Sequence, residues 1–215
     1  LYEVAYARFG DSLFRDVLAQ CYRFVSRKGG YALLNPETIS PASKPLRQMS
    51  FRFPDAGFAL LRSDDATVVM KYGPHGGGHG HPDKLSISIH DGTKELLSDF
   101  GTSAYGAPDY TRWYRKTLAH NTVTVDGQDQ AATTGNLMAF DSRPDGGMIR
   151  ASADSAYRNV KMSRSLKLSG AKLTDLFVCQ SPEEHRYDYV LLFNARPELS
   201  AKAGEPVTFS EAPYN

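Results

Sequence analysis

From residue 49 onward the apolar residues recur at about every second position, in short segments separated by turn residues, and that period constrains the chain to a sheet protein. Candidate strands run over residues 49–53, 57–62, 67–72, 85–90, 95–100 and 122–126, then over 148–153, 162–168, 173–179 and 189–193. Asp-Gly, Ser-Gly and proline-containing turns separate them. Because helices do not alternate with these strands, the expectation is a mainly β fold, an antiparallel sandwich, rather than a parallel sheet. Only residues 109–116 interrupt the strands with a short helical pattern.

The first part of the chain has a different period. Over residues 1–25 the apolar positions, most clearly Leu13, Phe14, Val17, Leu18, Cys21, Tyr22 and Val25, fall at helical spacing, with Asp11 or Ser12 placed to cap a start and Gly29 and Gly30 to end the helix. Residues 35–45 hold three prolines and read as a linker. A chain that opens inside a helical pattern reads as the tail of a larger helical region. The expected organisation is therefore residues 1–45 as the end of a helical domain and residues 46–215 as the β domain, which has no closing signal at its end.

Charge and cysteines exclude several function classes. With 25 basic and 24 acidic side chains the net charge is +1, which supplies no general attraction to nucleic acid or to an anionic membrane, so neither is expected as a partner. An acidic substrate would have to meet a local basic patch. No apolar run approaches the roughly 18 residues that span a bilayer, and the opening residues lack the order of a secretion signal, which leaves export open. Cys21 and Cys179, far apart in sequence, form no disulfide framework or zinc-ribbon spacing; they read as buried small hydrophobes, with a pairing between them untested.

Chemistry concentrates in one stretch. His75, His79, His81 and His90 lie within sixteen residues, in KYGPHGGGHGHPDKLSISIH. In an extended segment His79 and His81 share a face, and Gly76, Gly77, Gly78 and Gly80 let the backbone approach a ligand. Asp99 ends the next candidate strand and His120 heads a later one. Two imidazoles and a carboxylate with one position left open suit zinc, and also iron or manganese, so His81, Asp99 and His120 form the candidate metal set. Asp83 is the alternative carboxylate; just after Pro82 it also fits a turn residue or an acceptor behind the ligands. His75 and His90 read as surface residues.

Three motifs in order, GHGHPDKLS, LLSDFG and WYRKTLAHNTVTVDGQDQ, resemble the central sheet region of the heparinase II/III superfamily of polysaccharide lyases, and within it the oligoalginate lyases. The matching stretch runs over residues 73–130. The resemblance implies an α/α toroid followed by an antiparallel β-sandwich, with residues 1–25 as the last toroid helix. It implies cleavage of uronic-acid polysaccharides by β-elimination, alginate-type preferred and heparin-type also compatible, and a periplasmic or secreted location, with the cytoplasm also compatible. His81, Asp99 and His120 then match the family's zinc ligands, and His79 matches a residue beside the catalytic centre. The principal catalytic tyrosine and the neutralising Asn or His of the family come from the toroid, upstream of these residues, so the chain looks like part of an enzyme that alone is inactive.

Elimination removes the C5 proton next to the uronate carboxylate and expels the C4 oxygen, which calls for a base, an acid and a group that neutralises the carboxylate. His79 suits carboxylate binding or proton transfer. Tyr105, Tyr110 and Tyr114 are the tyrosines of the loop between Asp99 and His120; Tyr105, six residues past a proposed ligand, is preferred as catalytic, with Tyr110 and Tyr114 contacting substrate. Arg112 with Arg115 and Lys116 supplies the local positive charge that an acidic polysaccharide or oligosaccharide requires, unless it is simply a solvated helix face. Trp113 reads as packing or a sugar platform. The metal is assigned to holding loops, since elimination needs no water nucleophile. Two other readings compete: a cupin-like metal oxygenase, weakened because Leu85 and Ser86 stand where a glutamate is usual, and a non-catalytic carbohydrate-binding or interface module.

Overall fold

The computed structural model describes residues 1–35, 38–39, 49–92, 94–194, 196–198 and 200. The chain divides into two compact units, Leu1–Gln48 and Met49–Asn215. Of the expected linker only residues 35, 38 and 39 are described; the rest, and the end of the β domain, lie outside the described residues.

In the first unit the helical pattern is broken into α1 (Tyr2–Phe9), α2 (Ser12–Cys21) and α3 (Gly30–Leu34). Gly10, at φ 63°, closes α1 in the left-handed conformation that glycine adopts without steric cost. Asp11 then caps α2 by accepting a hydrogen bond from the Leu13 N–H at 2.8 Å. The single helix expected over 1–25 is thus two helices, and Gly30 begins a helix rather than ending one. Glu3, buried, accepts hydrogen bonds from Tyr22 Oη (2.5 Å) and Arg27 Nη2 (2.7 Å).

In the second unit the described strands form three antiparallel sheets. The first is a five-stranded meander of β1 (Phe51–Phe53), β2 (Phe58–Arg62), β3 (Thr67–Lys71), β4 (Ser86–Asp91) and β5 (Lys94–Leu97). The second, in order β10-β9-β8-β7, comprises β7 (Asn136–Arg143), β8 (Gly146–Ser152), β9 (Lys161–Ser169) and β10 (Lys172–Gln180). A short pair joins β6 (Val123–Val125) to β11 (Tyr187–Tyr189). Period two decides which residues face inward: Ala59 and Leu61 on β2, Val68 and Met70 on β3, Ile149 and Ala151 on β8, and Met162, Leu166 and Leu168 on β9 are all buried in one core cluster. Each such large side chain contributes about 1.5–3 kcal/mol by leaving water. The mainly β, antiparallel expectation holds. Strand β7, absent from the sequence reading, is irregular: its pairing with β8 shifts register between Leu137 and Ala139.

One inward position breaks the apolar rule. Arg164 on β9 is fully buried between Met162 and Leu166. It is satisfied completely: Nε and Nη2 donate to Asp175 at 3.0 and 2.5 Å, Nη1 donates to the carbonyls of Leu85 (2.7 Å) and Asn121 (2.6 Å), and Nη2 also donates to Tyr189 Oη (2.6 Å). Asp175 on β10 is the diagonal neighbour of Arg164, whose direct partner is Phe177. The guanidinium therefore ties the start of β4 and the segment after His120 to the second sheet.

Candidate active site and metal centre

The alternation that buries Val68 and Met70 turns Val69 and Lys71 of β3 away from the core, and Phe58 on β2 and Ser86 and Ser88 on β4 share that outward side. Over it opens a cavity of about 430 Å³, whose remaining walls are His79, His81, Asp83, Ile87, Asp99, Gly101, Thr102 and His120. Five residues singled out in the sequence, His79, His81, Asp83, Asp99 and His120, thus meet in one cavity.

The loop that carries the two histidines is shaped by close backbone approach. A 3₁₀ turn spans Gly77–His79, and a Cβ on Gly80 would lie 1.6 Å from the His75 carbonyl oxygen, so only glycine fits between His79 and His81. Buried side chains hold the other segments. Asn121 donates from Nδ2 to the carbonyls of Ile87 (2.9 Å) and Ser98 (2.7 Å) and accepts from the Leu192 N–H (2.6 Å). Gln130 accepts from the Lys84 N–H at 2.7 Å, and Thr122 Oγ1 donates to the Lys84 carbonyl at 2.7 Å. These bonds place Asp99 at the end of one segment and His120 at the head of another.

His120 is buried; its Nδ1 lies 2.9 Å from Asp99 Oδ2, while its Nε2 is buried with no hydrogen-bond partner. An orphaned ring nitrogen of this kind is costly unless something binds it. Burial acts to raise the Asp99 carboxyl, but the His120 hydrogen bond, the His120 charge and the Gly101 N–H at 3.0 Å outweigh it and hold the group below its usual range. Burial, helped by His120, lowers His81, which favours the neutral imidazole that ligates metals. The His81 and His120 ring centroids lie 5.2 Å apart.

Donor atoms of Asp83, Asp99 and His120 lie within 4.8 Å of one another, an arrangement able to hold a metal ion. His81 is not in that group. Asp83, 2% exposed, has both oxygens engaged: Oδ1 accepts from Lys84 Nζ at 3.0 Å and Oδ2 accepts from Lys71 Nζ.

At the rim His79 Nδ1 lies 2.6 Å from Tyr105 Oη, with the rings edge-on at 5.8 Å between centroids. Tyr105 packs edge-on against Tyr110 at 5.1 Å, and the Arg115 guanidinium lies 5.7 Å from the Tyr110 centroid. The expected short helix is a π-helical turn, Tyr110–Tyr114. Tyr110 is buried in it, Tyr114 is half-buried and Arg112 is exposed, and none of the three lines the cavity. His75, expected at the surface, has a buried Nδ1 without a hydrogen-bond partner. Lys71 and Phe58 were not singled out in the sequence; the only signal for them was outward phase, Lys71 on the strand leading into the glycine-rich loop and Phe58 opposite it on the strand before. Both cysteines are free.

Residues 45–210 match the family described as Heparinase II/III-like, C-terminal, and the chain belongs to that family. An alginate lyase of Stenotrophomonas maltophilia (strain K279a) is 26% identical over 231 residues, covering 89% of this chain and 30% of the relative. A heparin-sulfate lyase of Bacteroides stercoris is 30% identical over 129 residues, covering 55% of this chain and 19% of that protein. Among solved structures, a heparinase III gene product superposes with a TM-score of 0.65 at 21% identity, over 87% of this chain and 30% of its own. The heparan sulfate lyase of Pedobacter heparinus gives 0.55 at 21% identity, over 81% and 27%. The sandwich is therefore of heparinase III type, and the chain spans under a third of the length of these relatives.

Proposed function

We propose that this chain is the β-sandwich part of a polysaccharide lyase that cleaves uronic-acid polymers or oligomers by β-elimination, with alginate-type substrates preferred and heparin-type substrates next. The observation that carries the reading is the His79–Tyr105 pair at the rim of a cavity whose floor holds a metal-capable cluster. An imidazole and a phenol that share a proton at 2.6 Å supply the two partners that elimination needs, one to accept the C5 proton and one to protonate the departing C4 oxygen. Residues 1–45 would be the end of the helical toroid that completes the cleft, and a periplasmic or secreted location follows from the same reading. No helix among the described residues is long and apolar enough to cross a membrane.

The metal we assign is structural zinc on His81, Asp99 and His120. The orphaned His120 Nε2 and the neutral His81 fit a ligand role, whereas Asp83 would have to give up a lysine to serve. His81, Asp99 and His120 would hold the ion, which would tie together the loops that carry His79 and Tyr105. The direct test supplies alginate and heparin-type oligosaccharides to the full-length protein and follows the ultraviolet absorbance of an unsaturated uronate. Product with either class supports the reading; no product with any acidic polysaccharide overturns it.

A further inference from the structure

The cavity contains a charge arrangement that the metal and the His79–Tyr105 pair leave unexplained. Asp83 is bracketed by two lysines, Lys84 on Oδ1 and Lys71 on Oδ2. With Asp99, whose donor atom lies within 4.8 Å of that of Asp83, two carboxylates stand against the two ammonium groups. Burial separates the roles of the two lysines. The Lys84 side chain is 0% exposed and spends itself on Asp83 inside the protein, whereas the Lys71 side chain is 26% exposed and lines the cavity. An ammonium has three donors, and Asp83 takes one from Lys71, which leaves donors that Asp83 does not use on a side chain lining the cavity. Among the described residues lining the cavity, Lys71 is the one lysine or arginine; Arg112 and Arg115, the basic residues expected to meet an anion, do not line it.

Lys71 Nζ also lies 5.9 Å from the centroid of Phe58, another wall of the cavity, which pairs an apolar face with the cation as a sugar ring bearing an anionic group requires.

We propose that Lys71, backed by the Asp83–Lys84 pair, forms a carboxylate-binding subsite that selects acidic over neutral saccharides in this cavity. The proposal rests on the lyase reading for the class of ligand, while its charge argument is independent of whether the ligand is cleaved. Lys71 contacts the substrate anion, Asp83 orients the ammonium, and Lys84 holds the other oxygen of Asp83 without touching the ligand. A lysine that served only to hold Asp83 in place would not discriminate between acidic and neutral sugars.

The test uses the full-length protein as wild type, Lys71→Met, Lys71→Arg and Lys84→Met. Calorimetry measures binding of a saturated oligouronate and of its carboxyl-reduced counterpart, and the ultraviolet assay gives KM and kcat. The wild type is expected to prefer the acidic ligand by about tenfold or more, the range of one charge-assisted contact. Lys71→Met is expected to remove that preference and raise KM for acidic substrate, Lys71→Arg to keep most of it, and Lys84→Met to reduce it although Lys84 lies outside the cavity. If Lys84→Met does not fold, the two Lys71 variants still decide. A Lys71→Met protein that keeps the wild-type preference overturns the proposal, as does a wild type with none. Lys71-dependent preference without any unsaturated product upholds the subsite and removes the lyase reading; cleavage with preference and KM unchanged in Lys71→Met does the reverse.

Discussion

His79 Nδ1 and Tyr105 Oη stand 2.6 Å apart, although 26 residues separate them in sequence. The loop after Asp99 folds back over the glycine-rich loop, and Tyr110 beneath Tyr105 supports the phenol edge-on. If this pair moves the proton, His79→Ala and Tyr105→Phe in the full-length protein each lower kcat by about 10²–10⁴-fold with a smaller change in KM. Steady-state assays of unsaturated uronate check this, and two variants with wild-type kcat would remove the pair from the reaction.

Metal content separates the two carboxylates. Elemental analysis of purified protein is expected to show loss of bound zinc in His81→Ala, Asp99→Ala and His120→Ala, and retention in Asp83→Asn, because both Asp83 oxygens already accept from lysines. Chelation is expected to lower the thermal unfolding midpoint of the wild type and to leave that of His120→Ala unchanged. Metal lost from Asp83→Asn but kept by His81→Ala would move the ligand role from His81 to Asp83.

The buried guanidinium of Arg164 is expected to be the most costly polar deletion in the sandwich. Arg164→Leu strands Asp175 and two buried carbonyls, those of Leu85 and Asn121, and is expected to destabilise by about 3–5 kcal/mol. Chemical denaturation followed by tryptophan fluorescence measures it. Replacing Arg164 and Asp175 together by apolar residues is expected to cost less than Arg164→Leu alone, since no charge is then left unpaired.

Cys179 supplies a pH test. Burial pushes its thiol up to about 11, so the folded chain keeps the proton where the unfolded chain, with an ordinary thiol near 8.5, has lost it. Between those values the unfolded state binds fewer protons, and stability falls as pH rises. Cys179→Ala is expected to show a shallower decline over that window in denaturant titrations. At pH 8 iodoacetamide is expected to modify the exposed Cys21 well before Cys179; equal rates would contradict the half-buried, protonated thiol.

Much of the sheet was legible because burial on one face imposes period two whatever surrounds it. β1, β2, β3 and β6 fall within expected segments, and β4, β5, β8, β9 and β10 overlap theirs with ends displaced by a residue or a few. β7 escaped because the register shift between Leu137 and Ala139 resets the alternation partway along NLMAFDSR. The single helix expected over residues 1–25 failed at Gly10, where a left-handed residue ends α1 one position before the Asp11 cap. Around the site, the spacing of His79 and His81 and the strand ends at Asp99 and His120 marked where chemistry would gather. Among the three tyrosines of one loop, nearness to Asp99 favoured Tyr105, but its pairing with His79 did not follow from spacing; the fold supplies it by burying Tyr110 in the π-helical turn and leaving Tyr105 at the rim.

By itself the sequence determined the strand phase, the glycine positions that admit a tight loop, and the residue types able to bind a metal or move a proton, because these depend on local geometry and side-chain chemistry. Tertiary structure alone decided which charges meet. Asp83 faces Lys71 and Lys84 and not the solvent, Arg164 bridges the second sheet to the Leu85 and Asn121 carbonyls, and His120 turns one nitrogen to Asp99 and leaves the other without a partner. The physical reason is that electrostatic interactions in a protein depend on distance and burial across strands remote in sequence, and neither quantity is encoded in spacing along the chain.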